Sequence, residues 1–290
     1  MLAPQHNYTN LSSAVGLGLI GFNENDIAVD YGCMCSDSFV YASRLCKRIV
    51  GINPSYERLK TLQKRLVEED VRNYDLVNAN YDEQHFKEAF DYVIINNFLE
   101  QLLIEIRHNK SIYFNSRILS EQNDDNPEKI RIEFLQTVYN GLRPAGMLYL
   151  SYANKLRIRT FLLFVKIEIE SFFTAFSLRK VPSFVSFVKK IYLLSYYLLS
   201  QKGLEKLLKT NGFVDIEKYA VFPDHKYPLK IIPLSKLDEC SIEPVQHLSR
   251  EGGLSRISAG VKRRVDRLIF NKFKLFSLSP SFIITARKAS

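Results

Sequence analysis

From Ile27 onward, short apolar runs alternate with longer stretches of helical spacing, and no other feature of the 290 residues restricts the fold so tightly. IAVDY (27–31) reads as a buried strand, and DSFVYASRLCK (37–47) places Phe39, Val40, Ser43, Leu45 and Cys46 at broadly helical intervals. RIVGI (48–52) is the next strand, NPS (53–55) a helix start signal, and YERLKTLQKRLVEE (56–69) the helix it opens. YDLVNA (74–79) and FDYVII (90–95) follow as strands, EFLQTVYNGL (133–142) as a helix closed by Gly141 and Pro144, and MLYLSY (147–152) as strand five. A helix over GLEKLLKTN stops at Gly212 before a sixth strand, FVDIEKYAVF, and PSFIITARK (280–288) is a seventh. Such alternation implies an α/β fold with right-handed crossovers and a doubly wound, mostly parallel sheet. Ligands of such sheets bind outside the carboxyl ends of the strands.

Two stretches break the rhythm: 155–197, helical and rich in aromatic and basic residues, and 234–278, mixed and ending basic. The length favours one domain carrying elaborations over a strict two-domain chain. A net charge of +9 and a pI near 9.2 favour anionic partners. The four cysteines, Cys33, Cys35, Cys46 and Cys240, are too few and too unevenly placed for a disulfide framework, which favours a reducing compartment. No second Cys or His pair accompanies Cys33-x-Cys35 at zinc spacing, so no metal is expected. The N-terminal stretch lacks the basic and apolar regions of a secretory signal, and no run reaches the roughly twenty apolar residues of a membrane span. The expectation is a cytoplasmic protein, with the inner membrane surface left open as a peripheral contact for the basic segments.

The loop after the first strand carries Asp30, Gly32, Cys33, Met34 and Ser36, and further motifs follow in order. In GINPS, Asn53 and Pro54 end strand two; Asn80 and Tyr81 follow strand three; FDYVIINNFLEQL carries Asn96, Asn97 and Phe98; LRPAGMLYLSYAN turns into strand five; and LLSQKGLEKLLKTNGF precedes strand six. Taken together these segments resemble the class I S-adenosylmethionine-dependent methyltransferases over most of the chain. The resemblance implies a single methyltransferase-like domain over 1–290, a Rossmann-like seven-stranded sheet whose last strand is antiparallel, and S-adenosylmethionine as cofactor. It implies that the loop from Asp30 to Met34 meets the methionine part, that Asn53 and Pro54 meet the ribose, and that Asn80 and Tyr81 meet the adenine. Asn96, Asn97 and Phe98 would line the same pocket, with a helix-capping turn as the alternative role for the asparagines. A narrower likeness, on FPDHKYP (222–228) and SPSFIITARK (279–288), is to methyltransferases found with bacterial surface-polysaccharide enzymes.

Departures from the family pattern carry a cost. Met34 and Ser36 stand where the family has glycines, and a side chain forced to positive φ costs about one to two kcal/mol. Asn53 and Asn80 replace acids, each losing roughly one kcal/mol of charge-assisted bonding. The sum is about three to four kcal/mol against about eight for a micromolar ligand, so binding is weakened and not forbidden. Two readings follow: a working enzyme with an adapted pocket, or a catalytically impaired methyltransferase-like protein acting as a partner or scaffold subunit.

For the chemistry, His225, flanked by Asp224 and Tyr227 in a loop after strand six, is the candidate general base, since its pKa range suits proton transfer near neutrality. Gln101 stands where relatives carry a histidine, which removes a metal ligand beside Glu100. The 155–197 insert reads as a helix pair with a lid role, with a dimer surface or interfacial membrane helix as alternatives. In VKRRVDRLIFNKF (261–273), Lys262, Arg263, Arg264 and Arg267 oppose an apolar face, a solvated surface that also suits a phosphate group. The expected reaction is O-methylation of a small-molecule or carbohydrate-like acceptor, with a phosphorylated one allowed by the charge. Nucleic acid ranks below it because the basic residues cluster in the tail and insert.

Overall fold

A computed structural model describes residues 14–34, 37–99, 102, 127–154, 199–222, 228, 230–235, 279 and 281–290. Eight strands form one sheet: β1 (Ile27–Tyr31), β2 (Arg48–Ile52), β3 (Tyr74–Val77), β4 (Phe90–Asn96), β5 (Leu142–Ala153), β6 (Phe213–Phe222), β7 (Lys230–Pro233) and β8 (Ser281–Lys288). Their order is β3-β2-β1-β4-β5-β8-β6-β7. The first five run parallel, with Ile27 opposite Arg48, Ala28 opposite Tyr92 and Val93 opposite Leu148. β8 is antiparallel to both β5 and β6, as the resemblance implies. The eighth strand is an addition to the seven expected: KIIP pairs antiparallel with β6 at the edge. Four residues give no readable period, and the closing proline suits an edge that needs no donor.

Helices α1 (Asp37–Ser43), α2 (Tyr56–Glu68), α3 (Pro127–Gly141) and α4 (Gln201–Thr210) cover the sheet. On one face Phe39, Leu59, Leu62 and Leu66 pack with Ala28, Ile49 and Ile94; on the other Phe134, Val138, Leu204 and Leu208 pack with Val29, Val93, Ile95 and Ile284. Neighbours along a strand thus enter opposite cores, which is why β1 and β4 read as continuous apolar runs rather than alternating ones. In α2 the Leu59, Leu62, Leu66 spacing gives one buried stripe, and in α4 the Ser200 hydroxyl caps the start by accepting from Gly203 N at 3.2 Å. α4 ends at Thr210 with Asn211 as its C-cap, and Gly212 beyond it takes a φ of +88°.

LRPAG, expected as a turn before strand five, lies within β5 as a bulge. The register passes from Phe90 opposite Leu142 to Tyr92 opposite Met147, and Ala145 takes a φ of +61°. Arg143 holds this corner by donating to both Asp91 carboxylate oxygens, at 2.9 and 2.8 Å, while Asp91 also accepts from Ile27 N at 2.8 Å. The bulge therefore anchors the start of β1, at the opposite end from its ligand-side loop. The 155–197 insert and 236–278 lie outside the described residues, so the division of the chain expected there has no structural account. Among the described residues no helix is long and apolar enough to cross a membrane.

Candidate functional site

The chain reverses its direction of winding between β1 and β4, since β1 lies between β2 and β4 while β3 lies beyond β2. The crevice at a doubly wound sheet's switch point lies at the carboxyl ends of these strands, where Asp30, Asn53, Asn80 and Asn96 to Phe98 converge in sequence order.

Gly32 turns the chain out of β1 with φ +74°, and its N–H donates to Ile52 O at 2.8 Å. A Cβ built there would lie 2.0 Å from Cδ2 and 2.4 Å from Cγ of Phe98. Both the backbone angle and the contact therefore demand glycine. Phe98 is 4% exposed, and its ring stands 5.6 Å from that of Phe134, edge to face. Phe134 also receives Tyr31 at 5.5 Å and Tyr81 at 5.3 Å, so four aromatic rings pack together in the buried core on the α3 side of the sheet. The ring above Gly32 belongs to Phe98, while Met34 is half-buried.

Asn53 is wholly buried, and both ends of its amide are committed: Nδ2 donates to Cys33 O at 2.8 Å and Oδ1 accepts from Ser55 N at 2.8 Å. Asn78 Nδ2 donates in turn to the carbonyls of Asn53, at 3.0 Å, and Pro54, at 2.8 Å. These amides tie the loops after β1, β2 and β3 into one unit. Asn80 caps the short 3-10 helix Tyr81–Glu83: its N–H donates to Glu83 Oε2 at 2.8 Å and its Nδ2 to Oε1 at 3.3 Å. Asn96 Nδ2 donates to Ser38 Oγ at 3.3 Å, and its Oδ1 accepts from the Ser151 hydroxyl, joining α1 to β5. Asn97 has φ +58°, and its N–H donates to Ser151 O at 3.0 Å.

Asp30, 2% exposed, sits beneath the loop, and burial pushes its pKa up to about 8. Desolvation thus favours its neutral form over the carboxylate. Burial and the nearby Asp30 also hold the Cys33 thiol well above its ordinary range, which leaves it a packing residue and not a nucleophile. The Tyr31 hydroxyl is buried without a hydrogen-bond partner, and its pKa is raised by the same desolvation.

The structure thus brings Asp30, Gly32, Cys33, Met34, Asn53 and Pro54 together on linked loops, places Phe98 against Gly32, and ties Asn97 to Ser151. His225, Asp224 and Tyr227, like Ser36, Glu100 and Gln101, lie outside the described residues. Sequence reasoning missed Asn78, Ser38 and Ser151, which orient these loops. Asn78 was legible as a second amide two residues before Asn80, while Ser38 and Ser151 carry no local signal. Among the described residues no three His, Cys, Asp or Glu side chains group as a metal site.

Residues 29–115 match the family model described as a methyltransferase domain. The probable cobalt-precorrin-6B C(15)-methyltransferase (decarboxylating) of Methanocaldococcus jannaschii is 25% identical over 144 residues, 49% of this chain and 76% of that protein. Phosphoethanolamine N-methyltransferase 2 of Haemonchus contortus, solved with S-adenosyl-L-methionine, is similar over 100% of this chain and 54% of its own, with 14% identity and a TM-score of 0.51. Its complex with phosphomonomethylethanolamine and S-adenosylhomocysteine gives the same coverage and identity with a TM-score of 0.50. At that identity the likeness is one of fold, and this chain spans about half the length of those solved chains.

Proposed function

We propose that the chain, whose residues 29–115 match a methyltransferase domain, is a class I S-adenosylmethionine-dependent methyltransferase and transfers a methyl group to an oxygen of a small or carbohydrate-like acceptor. The observation that carries the reading is the left-handed turn at Gly32 beside a buried Asp30, at the carboxyl end of β1 and between two parallel neighbours. A bare backbone beside a buried acid suits a ligand bearing positive charge, because a cation close to Asp30 would favour the carboxylate that burial alone disfavours. On this reading, and by the resemblance, Asp30, Gly32 and Cys33 lie towards the amino-acid end of S-adenosylmethionine, Pro54 and the backbone of Asn53 near the ribose, and Asn80 and Tyr81 near the adenine, the Asn53 amide being engaged with Cys33 O and Ser55 N. When bound, that cofactor supplies an electrophilic methyl group on a sulfonium. The chain's part is to hold the acceptor in line and to exclude water.

An oxygen acceptor gives up a proton, and His225 is the candidate base, with Asp224 and Tyr227 to orient it. The matched proteins bear names of nitrogen and carbon methyltransferases, so the oxygen acceptor rests on this chain's own residues. The basic excess supports an acceptor that carries phosphate, and the 155–197 insert supports a lid or a subunit contact. Thermal unfolding with S-adenosylmethionine or S-adenosylhomocysteine, followed by a methyl-transfer screen on sugars, nucleotide-sugars and phenols, tests the reading. Stabilisation and transfer to a hydroxyl are expected; transfer to nitrogen or carbon would move the acceptor class. His225→Ala should depress turnover with little change in cofactor affinity, and an unchanged rate would remove it from the mechanism.

A second reading has an observation of its own. Phe98 lies against Gly32 and the Asn53 amide is fully engaged, as in a methyltransferase-like subunit that has given up the cofactor. Absence of any cofactor-induced stabilisation would favour it.

A further inference from the structure

We infer that Phe98 is a self-occupying plug: in the free protein its ring fills the crevice over Gly32, and the cofactor binds by displacing it. This rests on the cofactor-binding reading above and deepens it.

The contact is between a ring and bare backbone. A Cβ on Gly32 would come within 2.0 to 2.8 Å of Cδ2, Cγ and Cβ of Phe98, so the ring is seated directly on the bare backbone of the loop's glycine. At 4% exposure it also keeps water out of that place. The two residues before it are held by hydrogen bonds, whereas Phe98 is held by packing alone, with its ring against Phe134 and with Leu99 and Leu102 buried in the same cluster. Asn96 is fixed by Ser38 and Ser151, and Asn97 N–H is fixed by Ser151 O at 3.0 Å. On the opposite wall Asn53 and Asn78 lock the first three loops. With both walls tied, the smallest motion that frees the backbone of Gly32 is rotation of the Phe98 side chain. Asn97, at φ +58°, turns the chain so that Phe98 points across the crevice; asparagine is among the few residues that hold this angle at low cost. Closure then reduces apparent affinity by the fraction of molecules that are open.

The test is calorimetric titration of wild-type protein, Phe98→Ala and Phe98→Leu with S-adenosylhomocysteine, with melting temperatures measured without ligand. If the plug is closed in about nine molecules of ten, its removal tightens binding by about tenfold. Phe98→Ala is expected to bind at least that much more tightly than wild type while melting lower, since a buried ring is lost. Phe98→Leu, which keeps an apolar side chain beside Phe134, decides the matter if Phe98→Ala does not fold: tighter binding supports the plug. Equal or weaker binding by the folded variant overturns the plug and leaves the cofactor reading intact. No binding by wild type or variant overturns both.

Discussion

At Asn53 the side chain must donate to Cys33 O, which no carboxylate does once ionised. Its surroundings thus give a structural reason for an amide at a position where the family carries an acid. Asn53→Asp would place an oxygen against a carbonyl in a wholly buried site, and should lower stability by about 3 kcal/mol, read from the urea midpoint. A variant as stable as wild type would mean that the amide clamp is dispensable. Asp30 carries a different consequence. With a folded pKa of about 8 against 3.8 for the free side chain, the native state keeps a proton that the unfolded chain has released. The unfolded state binds fewer protons across that window, so this group's contribution to stability is full below about pH 4 and is lost as pH rises towards 8. Asp30→Asn removes the effect; the fall in denaturation midpoint from pH 5 to 8 should be smaller in the variant, and parallel profiles would contradict the buried acid. Neither role is legible from the sequence, because each depends on a partner or on burial set twenty or more residues away.

Among the elements, those with strong periodicity were legible. The apolar runs at 27–31, 48–52 and 90–95 became β1, β2 and β4, and the leucine spacing of 56–69 became α2. Gly212 as the stop of α4 was legible too, and its φ of +88° with Tyr139 ring atoms 3.2 to 3.3 Å from a built Cβ explains the residue. Gly212→Ala should therefore cost about 1 to 2 kcal/mol, measured as a shift of the denaturant midpoint at unchanged slope; no shift would mean that the turn relaxes. What was not legible was the bulge at the start of β5. Pro144 and Gly146 gave the signature of a turn, whereas Arg143 bonding to Asp91 keeps the segment in the sheet, and that pairing spans 52 residues.

For the whole molecule, the alternation of strands and helices was enough to place a crevice at the switch point beside β1. It could not say what fills it. Phe98 and Gly32 are 66 positions apart, and their contact exists only once β1 and β4 pair side by side. The edge strand β7 extends the sheet on the side remote from the crevice, while β1 and β4 at the centre are fixed from both faces. The proposed site is therefore local: an adenosyl ligand is expected to enter between the carboxyl ends of β1, β2 and β4. An NMR titration of labelled wild-type protein with S-adenosylhomocysteine reads it out residue by residue. Saturable shifts centred on the amides of Gly32, Cys33, Asn97 and Phe98, with those of β7 unmoved, are the predicted result; no saturable shift, or shifts centred away from that crevice, would contradict it.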